Sequence, residues 1–458
     1  MKIVVINGSP KGEMSITLSF SKLLKNSFKQ HDFYFVDAAR DINKFETDSL
    51  KMEDTFKILS SADFIIWSFP VYYLSIPSQL MRFVSLLFEN NCGNPLKGKY
   101  AASISTSGHY FDHTAHSYIH SASEELGMNF ISNFSADAGY FLKDENRDSF
   151  LKYFGSLFER AEKGEKIRKE FLPASETGKF EYTPVSSGKA SDHSFKTFII
   201  ADIPEKGGNL EAMVNAALRF FGDSSEIINI GNADIKNGCI GCCRCILEGK
   251  CIFRDDYRSL SDRIAEEADI VIYAGSIEHR FLSPGWKQFL DRGFCYGHKP
   301  VYRGKSFGFI LSGMLRENRM LKEFMEGYVQ AVTGSSLFEY VTDESSENEA
   351  VTEEIFTFTE NMIRNCRDKL TKPQDFLGVG GEKIFRDLVY SFRWFFTDDH
   401  RFFENEGRYN FPNTDPATEK RSLEMEALMS QPGAKEHIMK NLSKIMIEPY
   451  EKIIRETA

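Results

Sequence analysis

Cysteines crowd into one short stretch of this chain. Two successive Cys-x2-Cys spacings let three thiolates face one side of a metal cluster, and a fourth thiolate can arrive from further along. Zinc sites more often use two separated Cys-x2-Cys knuckles, so the spacing favours iron–sulfur over zinc, with reduced thiols that hold no metal as a third alternative. The predicted ligands are Cys239, Cys242, Cys245 and Cys251, and Cys243 is spare.

A turn near the start of the sequence could hold a phosphate. This phosphate turn, residues 7–17, lies between an apolar run and a helical pattern. At a strand-to-helix junction, backbone N–H groups and the helix dipole favour an anion. An ordinary turn with a serine cap is the alternative, and the three-glycine spacing of a dinucleotide site is missing. Candidate side-chain donors are Ser9, Lys11, Ser15 and Thr17.

Two more loops follow predicted strands. The tyrosine loop, residues 68–73, contains Pro70, Val71, Tyr72 and Tyr73, and the histidine loop, residues 106–109, contains Ser107, Gly108 and His109. Ligands of open α/β sheets bind outside the carboxyl ends of the strands, where flat tyrosine rings suit a planar group. A phosphate and a planar ring together describe FMN. A hydrophobic loop packed under the C-terminal region is the alternative for the tyrosine loop.

The elements that must position these loops occur twice. Residues 2–7 are echoed by 196–201 at an offset of 194, and residues 62–67 by 268–273 at an offset of 206. The cysteines lie between these two anchors in the second copy, so that copy carries them as an insertion.

Each copy alternates apolar runs with helical patterns, which predicts a parallel sheet covered on both faces. Five strands per copy indicate an α/β fold with two doubly wound, flavodoxin-like sheets in tandem. The expected domains are 1–172 and 195–370, joined by a linker at 173–194 and followed by a mainly helical extension at 371–458. Strands are expected near 2–7, 33–36, 63–69, 100–106, 129–135, 195–201, 225–230, 269–275, 305–311 and 336–341, and an aromatic helix at 384–396.

These motifs resemble a known family. Gly8-Ser9-Pro10-Lys11, Pro70-Val71-Tyr72-Tyr73 and Ser107-Gly108 resemble NADPH-dependent FMN reductases, and Cys239-x2-Cys242-x2-Cys245-x5-Cys251 is similar to the motif of iron–sulfur flavoproteins. The resemblance covers roughly residues 1–140 and 195–340. It implies FMN, NAD(P)H as cosubstrate and a [4Fe–4S] cluster. In that family the cluster of one subunit faces the flavin of another, so a fused tandem would form a pseudo-dimer within one chain, and a homodimer also stays open.

The second copy departs from the flavin pattern. In place of residues 70–73 it has Ser276-Ile277-Glu278-His279, followed by Arg280. Charged side chains are a poor surface for an apolar ring. We therefore expect FMN in the first copy and the cysteines in the second, with a second FMN as the less favoured alternative.

Four histidines fall at helical spacing, at positions 109, 113, 116 and 120. On one helix they would share a face and could bind a metal. We prefer the interpretation in which His109 lies near the flavin and the others line the helix surface.

Composition excludes several classes of protein. The 56 basic and 66 acidic residues give a net charge of −10, which argues against nucleic-acid or anionic-lipid partners. No segment approaches the roughly 20 apolar residues of a membrane span, and the strand-like start does not resemble a signal peptide, so we expect a cytoplasmic protein with reduced thiols. The 41 phenylalanines predict heavy aromatic packing.

Together these features predict an NAD(P)H-dependent FMN oxidoreductase. Electrons would reach a small acceptor, such as a quinone or nitro compound, directly or through the cluster. Hydride transfer requires no acid–base residue, so no catalytic residue is assigned, although Tyr73 and His109 could contact substrate. The alternative is a non-catalytic electron carrier that serves a redox protein partner.

Overall fold

The structure is a computed structural model that describes residues 1–173, 180–185, 193–204, 207–409 and 416–456. Most of the predicted linker lies outside these ranges. The chain divides into two compact units. Unit one consists of Met1–Pro173, Cys239–Lys250 and Ile384–Ala458, and unit two of Ala174–Gly238 and Cys251–Lys383. The cysteine segment (Cys239–Lys250) and most of the C-terminal region therefore fold with the first half of the chain.

Unit one is built on a five-stranded parallel sheet. Its strands are β1 (Lys2–Asn7), β2 (Asp32–Val36), β3 (Phe64–Pro70), β4 (Tyr100–Thr106) and β5 (Asn129–Ala136), in the order β2-β1-β3-β4-β5. This is the flavodoxin-like order. The Val, Ile and Phe runs of β1 and β3 are buried along nearly their whole length, as strands covered on both faces must be.

Unit two has the same topology. Its strands are β6 (Thr197–Ala201), β7 (Ser225–Asn229), β8 (Ile270–Glu278), β9 (Phe281–Leu282), β10 (Ser306–Ser312) and β11 (Glu339–Thr342). The parallel strands run β7-β6-β8-β10-β11, the order found in unit one, and the short β9 pairs antiparallel with β8. The predicted fold class is confirmed. β8 extends to Glu278, further than predicted, because it continues into the hairpin with β9.

Helices surround the sheets and make up most of the C-terminal region. They are α1 (Ile16–Ser27), α2 (Ile42–Thr47), α3 (Ser49–Ser61), α4 (Ser78–Glu89), α5 (Gly93–Leu96), α6 (Asp112–Glu125), α7 (Asp144–Glu162), α8 (Asn209–Phe221), α9 (Arg244–Glu248), α10 (Asp256–Glu267), α11 (Pro284–Arg292), α12 (Arg319–Thr333), α13 (Asn348–Arg367), α14 (Phe376–Ser391), α15 (Thr397–Asn405), α16 (Pro416–Met429) and α17 (Ala434–Glu456). No helix in the described ranges has the length and apolar character needed to cross a membrane.

The predicted aromatic helix at 384–396 is wrong at its C-terminal end. Helix α14 ends at Ser391, whose carbonyl accepts a hydrogen bond from Ser422 Oγ. The residues that follow form a turn, and Phe395 packs into a cluster with Met429 and Leu442. Tertiary packing of Phe395 therefore overrides the local helical pattern.

The abundant phenylalanines fill the core of unit one. Phe20 of α1 stacks on Phe141, and Phe150 and Phe154 of α7 pack beside them. Tyr450 of α17 joins the same cluster. The aromatic core thus binds the C-terminal helix to the first half of the chain.

Candidate active site

Three predicted loops meet at the carboxyl ends of β1, β3 and β4. Gly8 N in the phosphate turn donates to Ser68 O in the tyrosine loop over 2.8 Å. Val71 N in turn donates to Thr106 O in the histidine loop over 3.3 Å. The hydroxyls of Thr17 and Thr106 are 2.5 Å apart. Backbone and side-chain bonds therefore fix the three loops against one another.

The phosphate turn places two serine hydroxyls near the start of α1. Ser15 is the N-cap of α1, and its Oγ accepts a hydrogen bond from Leu18 N over 3.2 Å. Ser9 Oγ accepts from Lys11 N over 3.4 Å. Because a serine hydroxyl that accepts still has its own proton to donate, both serines keep a donor for a ligand. Thr17, by contrast, is paired with Thr106 and ties α1 to β4.

The tyrosine loop ends in a strained turn. Tyr73 and Leu74 both have positive φ, 41° and 67°, between the paired residues Tyr72 and Ser75. Tyr72 N donates to Ser75 O over 2.7 Å, and Ser75 N donates to Tyr72 O over 3.1 Å. Asn and Gly usually occupy such turns, and a left-handed residue with a side chain costs roughly 1–2 kcal/mol. The paired bonds between Tyr72 and Ser75 hold this strained turn, and so give the two tyrosines a defined backbone position at the sheet edge.

Buried polar groups without partners cluster near the end of β3. Within the described part of the chain, the hydroxyls of Ser68 and Ser75 and the indole N–H of Trp67 make no hydrogen bond. Leaving such a group unpaired costs roughly 1–3 kcal/mol. The Ser68 and Ser75 hydroxyls, near the end of β3 and in the turn that follows it, suit a polar ligand at this edge of the sheet, whereas the side chain of Trp67 points to the opposite face of β3 from that of Ser68.

The histidine loop holds an ordered imidazole. His109, with φ of 66°, precedes α6, and its N–H donates to Ser107 Oγ over 2.9 Å. Its Nδ1 lies 3.0 Å from Asp112 Oδ2, which also accepts from Ser135 Oγ over 2.6 Å. Burial alone would raise the pKa of Asp112, but the hydrogen bonds from Ser135 and His109 hold it below its usual value. The charged carboxylate thus orients the His109 ring.

The other histidines do not line one exposed helix face. His116 is buried, with its two ring nitrogens 2.7 and 2.8 Å from the hydroxyls of Ser103 and Ser105. Burial lowers the pKa of His116 to about 4, so the ring is neutral. His120 instead contacts Glu124 over 3.0 Å. The expectation that His116 lies on the surface is wrong, and no group of three or more His, Cys, Asp or Glu side chains within the described ranges is arranged to hold a metal ion.

The cysteine segment lies directly against the phosphate turn and the tyrosine loop. Gly241 has φ of 65°, and a Cβ added there would lie 2.0 Å from the Tyr72 hydroxyl and 2.9 Å from Lys11 Cε. Gln79 Nε2 donates to Cys239 O over 3.3 Å. Only glycine permits this close approach at position 241. The segment therefore docks where the phosphate turn and the tyrosine loop come together.

The thiols do not form a preassembled metal site. Gly241 N donates to Cys239 Sγ, and Cys243 Sγ donates to Gly241 O, both over 3.4 Å. Burial raises the pKa of the Cys243 thiol, although the nearby Lys11 ammonium opposes the shift. Of the four predicted ligands, Cys239, Cys242 and Cys245 belong to unit one and Cys251 to unit two. These thiols are not part of any group of three or more His, Cys, Asp or Glu side chains that could hold a metal ion within the described residues.

The C-terminal region covers the histidine loop. The Phe385 ring of α14 lies 5.2 Å from the ring of Tyr110, and an Ile384 methyl lies 3.8 Å from the Cβ position of Gly108. The aromatic content of residues 384–396 signals packing, but it does not indicate which loop is covered. Ile384, Phe385, Gln79, Gly241 and Asp112 were therefore missed by sequence reasoning.

Unit two keeps the strained turn but changes its side chains. His279 and Arg280 have φ of 46° and 68°, at the positions of Tyr73 and Leu74. Glu278 pairs with Phe281 as Tyr72 pairs with Ser75. The backbone of this turn has similar φ angles and pairing in both halves, whereas the two adjacent tyrosines are present only in unit one.

Comparisons with known proteins match parts of the sequence. Residues 1–140 match the family described as NADPH-dependent FMN reductase. Over 111 residues, 24% of this chain, the sequence is 38% identical to the iron-sulfur flavoprotein of Archaeoglobus fulgidus. The chain spans about half of that relative's length, 50%.

Several solved structures are similar to part of the chain. The NAD(P)H:(acceptor) oxidoreductase FerB from Paracoccus denitrificans is 17% identical, with a TM-score of 0.29, over 36% of this chain and 98% of that one. General stress protein 14 from Treponema denticola, in complex with FMN, is 10% identical, with a TM-score of 0.27, over 36% of this chain and 99% of that one. A flavodoxin from the domain Archaea is 16% identical, with a TM-score of 0.26, over 35% of this chain and 99% of that one. The fold assignment itself rests on the strand order.

Proposed function

We propose that this chain, whose residues 1–140 match the NADPH-dependent FMN reductases, is an NAD(P)H-dependent FMN oxidoreductase with its flavin in unit one. The observation that carries the proposal is the convergence of three loops at the carboxyl ends of β1, β3 and β4. Open α/β sheets bind ligands at this edge. Bound FMN would supply the two-electron redox chemistry, which the protein positions and tunes.

The residues of the phosphate turn would hold the phosphate group. The helix dipole at the start of α1 favours an anion. Ser9 and Ser15 each keep a hydroxyl proton. Lys11 adds positive charge at the same turn. Thr17 has a supporting role, because its hydroxyl is engaged by Thr106.

The other two loops would hold the ring. Pro70 and Val71 carry the chain into the strained turn of Tyr72 and Tyr73, and the unpaired Ser68 hydroxyl lies in the same loop. On the opposite side, Ser107, Gly108 and His109 would border the ring. The ordered imidazole of His109 can contact a substrate, because Asp112 fixes its orientation from the other side.

A nicotinamide would deliver the electrons, and a small molecule such as a quinone or nitro compound would accept them. Two features support an enzyme over a simple electron carrier. The cysteine segment and α14 both lie over the loops, which is typical of an enclosed substrate site. The oriented His109 provides a polar contact that electron transfer alone does not need.

The cysteine segment also carries a proposal. The spacing of Cys239, Cys242, Cys245 and Cys251, together with the similarity to an iron-sulfur flavoprotein, supports a [4Fe–4S] cluster, although the thiols are not assembled for one. We assign no reaction step to a cluster. Iron and sulfide analysis after anaerobic purification tests it: four irons per chain that are lost in Cys242→Ser, but kept in Cys366→Ser, would support the cluster. Equal iron in both variants would contradict it.

The reductase proposal is tested by titrating the purified chain with FMN and then adding NADH or NADPH anaerobically. We expect one tightly bound FMN, whose visible absorbance bleaches with at least one nicotinamide and returns when a quinone is added. A chain that binds no FMN contradicts the proposal. A bound flavin that neither nicotinamide reduces would instead favour the electron carrier.

A further inference from the structure

Each half of the chain has an aspartate directly after its last sheet strand. Asp137 follows β5 and Asp343 follows β11, at the offset of 206 that relates the two halves. Asp137 is exposed, and its Oδ1 accepts from Gly139 N within its own turn over 2.6 Å. Asp343 is only 8% exposed and is turned inward. The same position thus has two different environments.

Three donors, from the start of α8 and the end of β10, converge on the Asp343 carboxylate. Asn209 Nδ2 and Ser312 Oγ each donate to Oδ2 over 2.8 Å, and Gly313 N donates to Oδ1 over 2.8 Å. Both oxygens are therefore hydrogen-bonded, as the oxygens of a bound oxyanion would be.

These donors lie at the counterparts of the flavin loops. Asn209 begins α8, at the offset of 194 that relates it to Ser15. Ser312 ends β10 as Thr106 ends β4. In unit one these positions face the edge where we place FMN, whereas in unit two they bind a carboxylate of the protein itself.

Residues 180–185 form a second segment that contacts Asn209. Tyr182 N donates to Asn209 Oδ1 over 2.8 Å, and Asn209 Nδ2 donates to Phe180 O over 3.0 Å. The Tyr182 hydroxyl lies 2.8 Å from Thr352 Oγ1, and its side chain is buried. Residues 180–185 therefore lie across the start of α8, where a ligand phosphate would otherwise approach.

We infer that Asp343 is a built-in anion that fills the counterpart of the flavin site in unit two, so that the chain loads one FMN rather than two. Without this carboxylate, the cradle of Asn209, Ser312 and Gly313 binds a free oxyanion such as inorganic phosphate. The stoichiometry rests on the proposed function, whereas the oxyanion cradle does not depend on it.

The test compares the full chain with Asp343→Ala and with the matched control Asp137→Ala, each titrated with inorganic phosphate by calorimetry. We expect Asp343→Ala to bind one more phosphate per chain than the unsubstituted chain, and Asp137→Ala to bind the same number. Equal phosphate binding by all three proteins overturns the inference. If Asp343→Ala does not fold, Asp343→Ser, which keeps one hydrogen-bonding group, is expected to show the same extra phosphate.

FMN titration of the unsubstituted chain separates this inference from the proposed function. One FMN per chain at saturation supports both. Two FMN per chain overturns the inference and leaves the proposed function intact. No bound FMN overturns the proposed function, and the phosphate titration then decides the inference alone.

Discussion

At the scale of single residues, the contact between Gly241 and Tyr72 joins the cysteine segment to the candidate active site. Two glycines of this segment have nearly the same backbone conformation, with φ of 65° at Gly241 and 67° at Gly249. Their surroundings differ. A Cβ at Gly241 would meet Tyr72 and Lys11, whereas a Cβ at Gly249 would meet nothing within 4 Å. A comparison of alanine variants at Gly241 and Gly249 therefore separates the effect of steric contact from the effect of backbone strain.

We therefore predict that Gly241→Ala weakens FMN binding at least tenfold, because the added methyl pushes the segment away from Tyr72 and Lys11. Gly249→Ala should lose only about 1 kcal/mol of folding free energy to backbone strain and bind FMN normally. Flavin fluorescence titrations and thermal melts measure both effects. Similar FMN affinities for the two variants would show that the contact at Gly241 does not support the site.

His116 predicts a pH dependence of stability. Its folded-state pKa of about 4 lies below the ordinary value of 6.5, so only the unfolded chain takes up a proton between these values. The free energy of unfolding should therefore fall as pH drops from about 6.5 towards 4. The contribution of His116 to this loss is about 3 kcal/mol, and above pH 6.5 that contribution is fully retained.

We expect His116→Gln, which keeps a donor and an acceptor for the two serines, to remove this part of the pH dependence. His113→Asn, on the exposed side of the same helix, is the control. Chemical unfolding at several pH values measures the slope. An unchanged slope in His116→Gln would argue against a neutral buried imidazole.

At the scale of elements, α17 contributes to the core of unit one. Asn26 Nδ2 of α1 donates to Ile454 O over 2.9 Å, and Tyr450 and Ile453 lie in the cluster around Phe20. We predict that Tyr450→Ala destabilises the chain by about 3 kcal/mol, the usual cost of removing a buried aromatic side chain. Ile445→Ala, at a position of the same helix that is 45% exposed, should cost far less. Urea unfolding compares them, and equal losses would place α17 outside the core.

Elements were predictable from sequence where the signal is local. All five strands of unit one agree with their predicted bounds to within one residue, because continuous Val, Ile and Phe runs mark buried parallel strands. The end of α14 at Ser391, the burial of His116 and the docking of Gly241 were not predicted. The end of α14 and the docking of Gly241 depend on partners far away in the sequence, Met429 for Phe395 and Tyr72 for Gly241. The burial of His116 depends on the packing of α6 against β4, and no local pattern names any of these partners.

At the scale of the whole molecule, unit one is assembled from three separate parts of the chain. Residues 1–173 contain all five strands of its sheet but lack the cysteine segment and α17. We predict that this fragment alone melts at least 10 °C below the full chain and binds FMN more weakly, because Phe20 loses Tyr450 and Tyr72 loses the segment around Gly241. A fragment that matches the full chain in both measurements would contradict this prediction.

The hydrogen bond between Asn26 and Ile454 also bears on how the protein is made. Its partners are 428 positions apart, so α1 leaves the ribosome long before α17 exists. At roughly 5–20 residues per second, that interval is on the order of tens of seconds. During it the cluster around Phe20 lacks Tyr450 and Ile453, and apolar surface left uncovered in this way is the kind that chaperones bind. The packing of unit one is therefore completed only after α17 has left the ribosome.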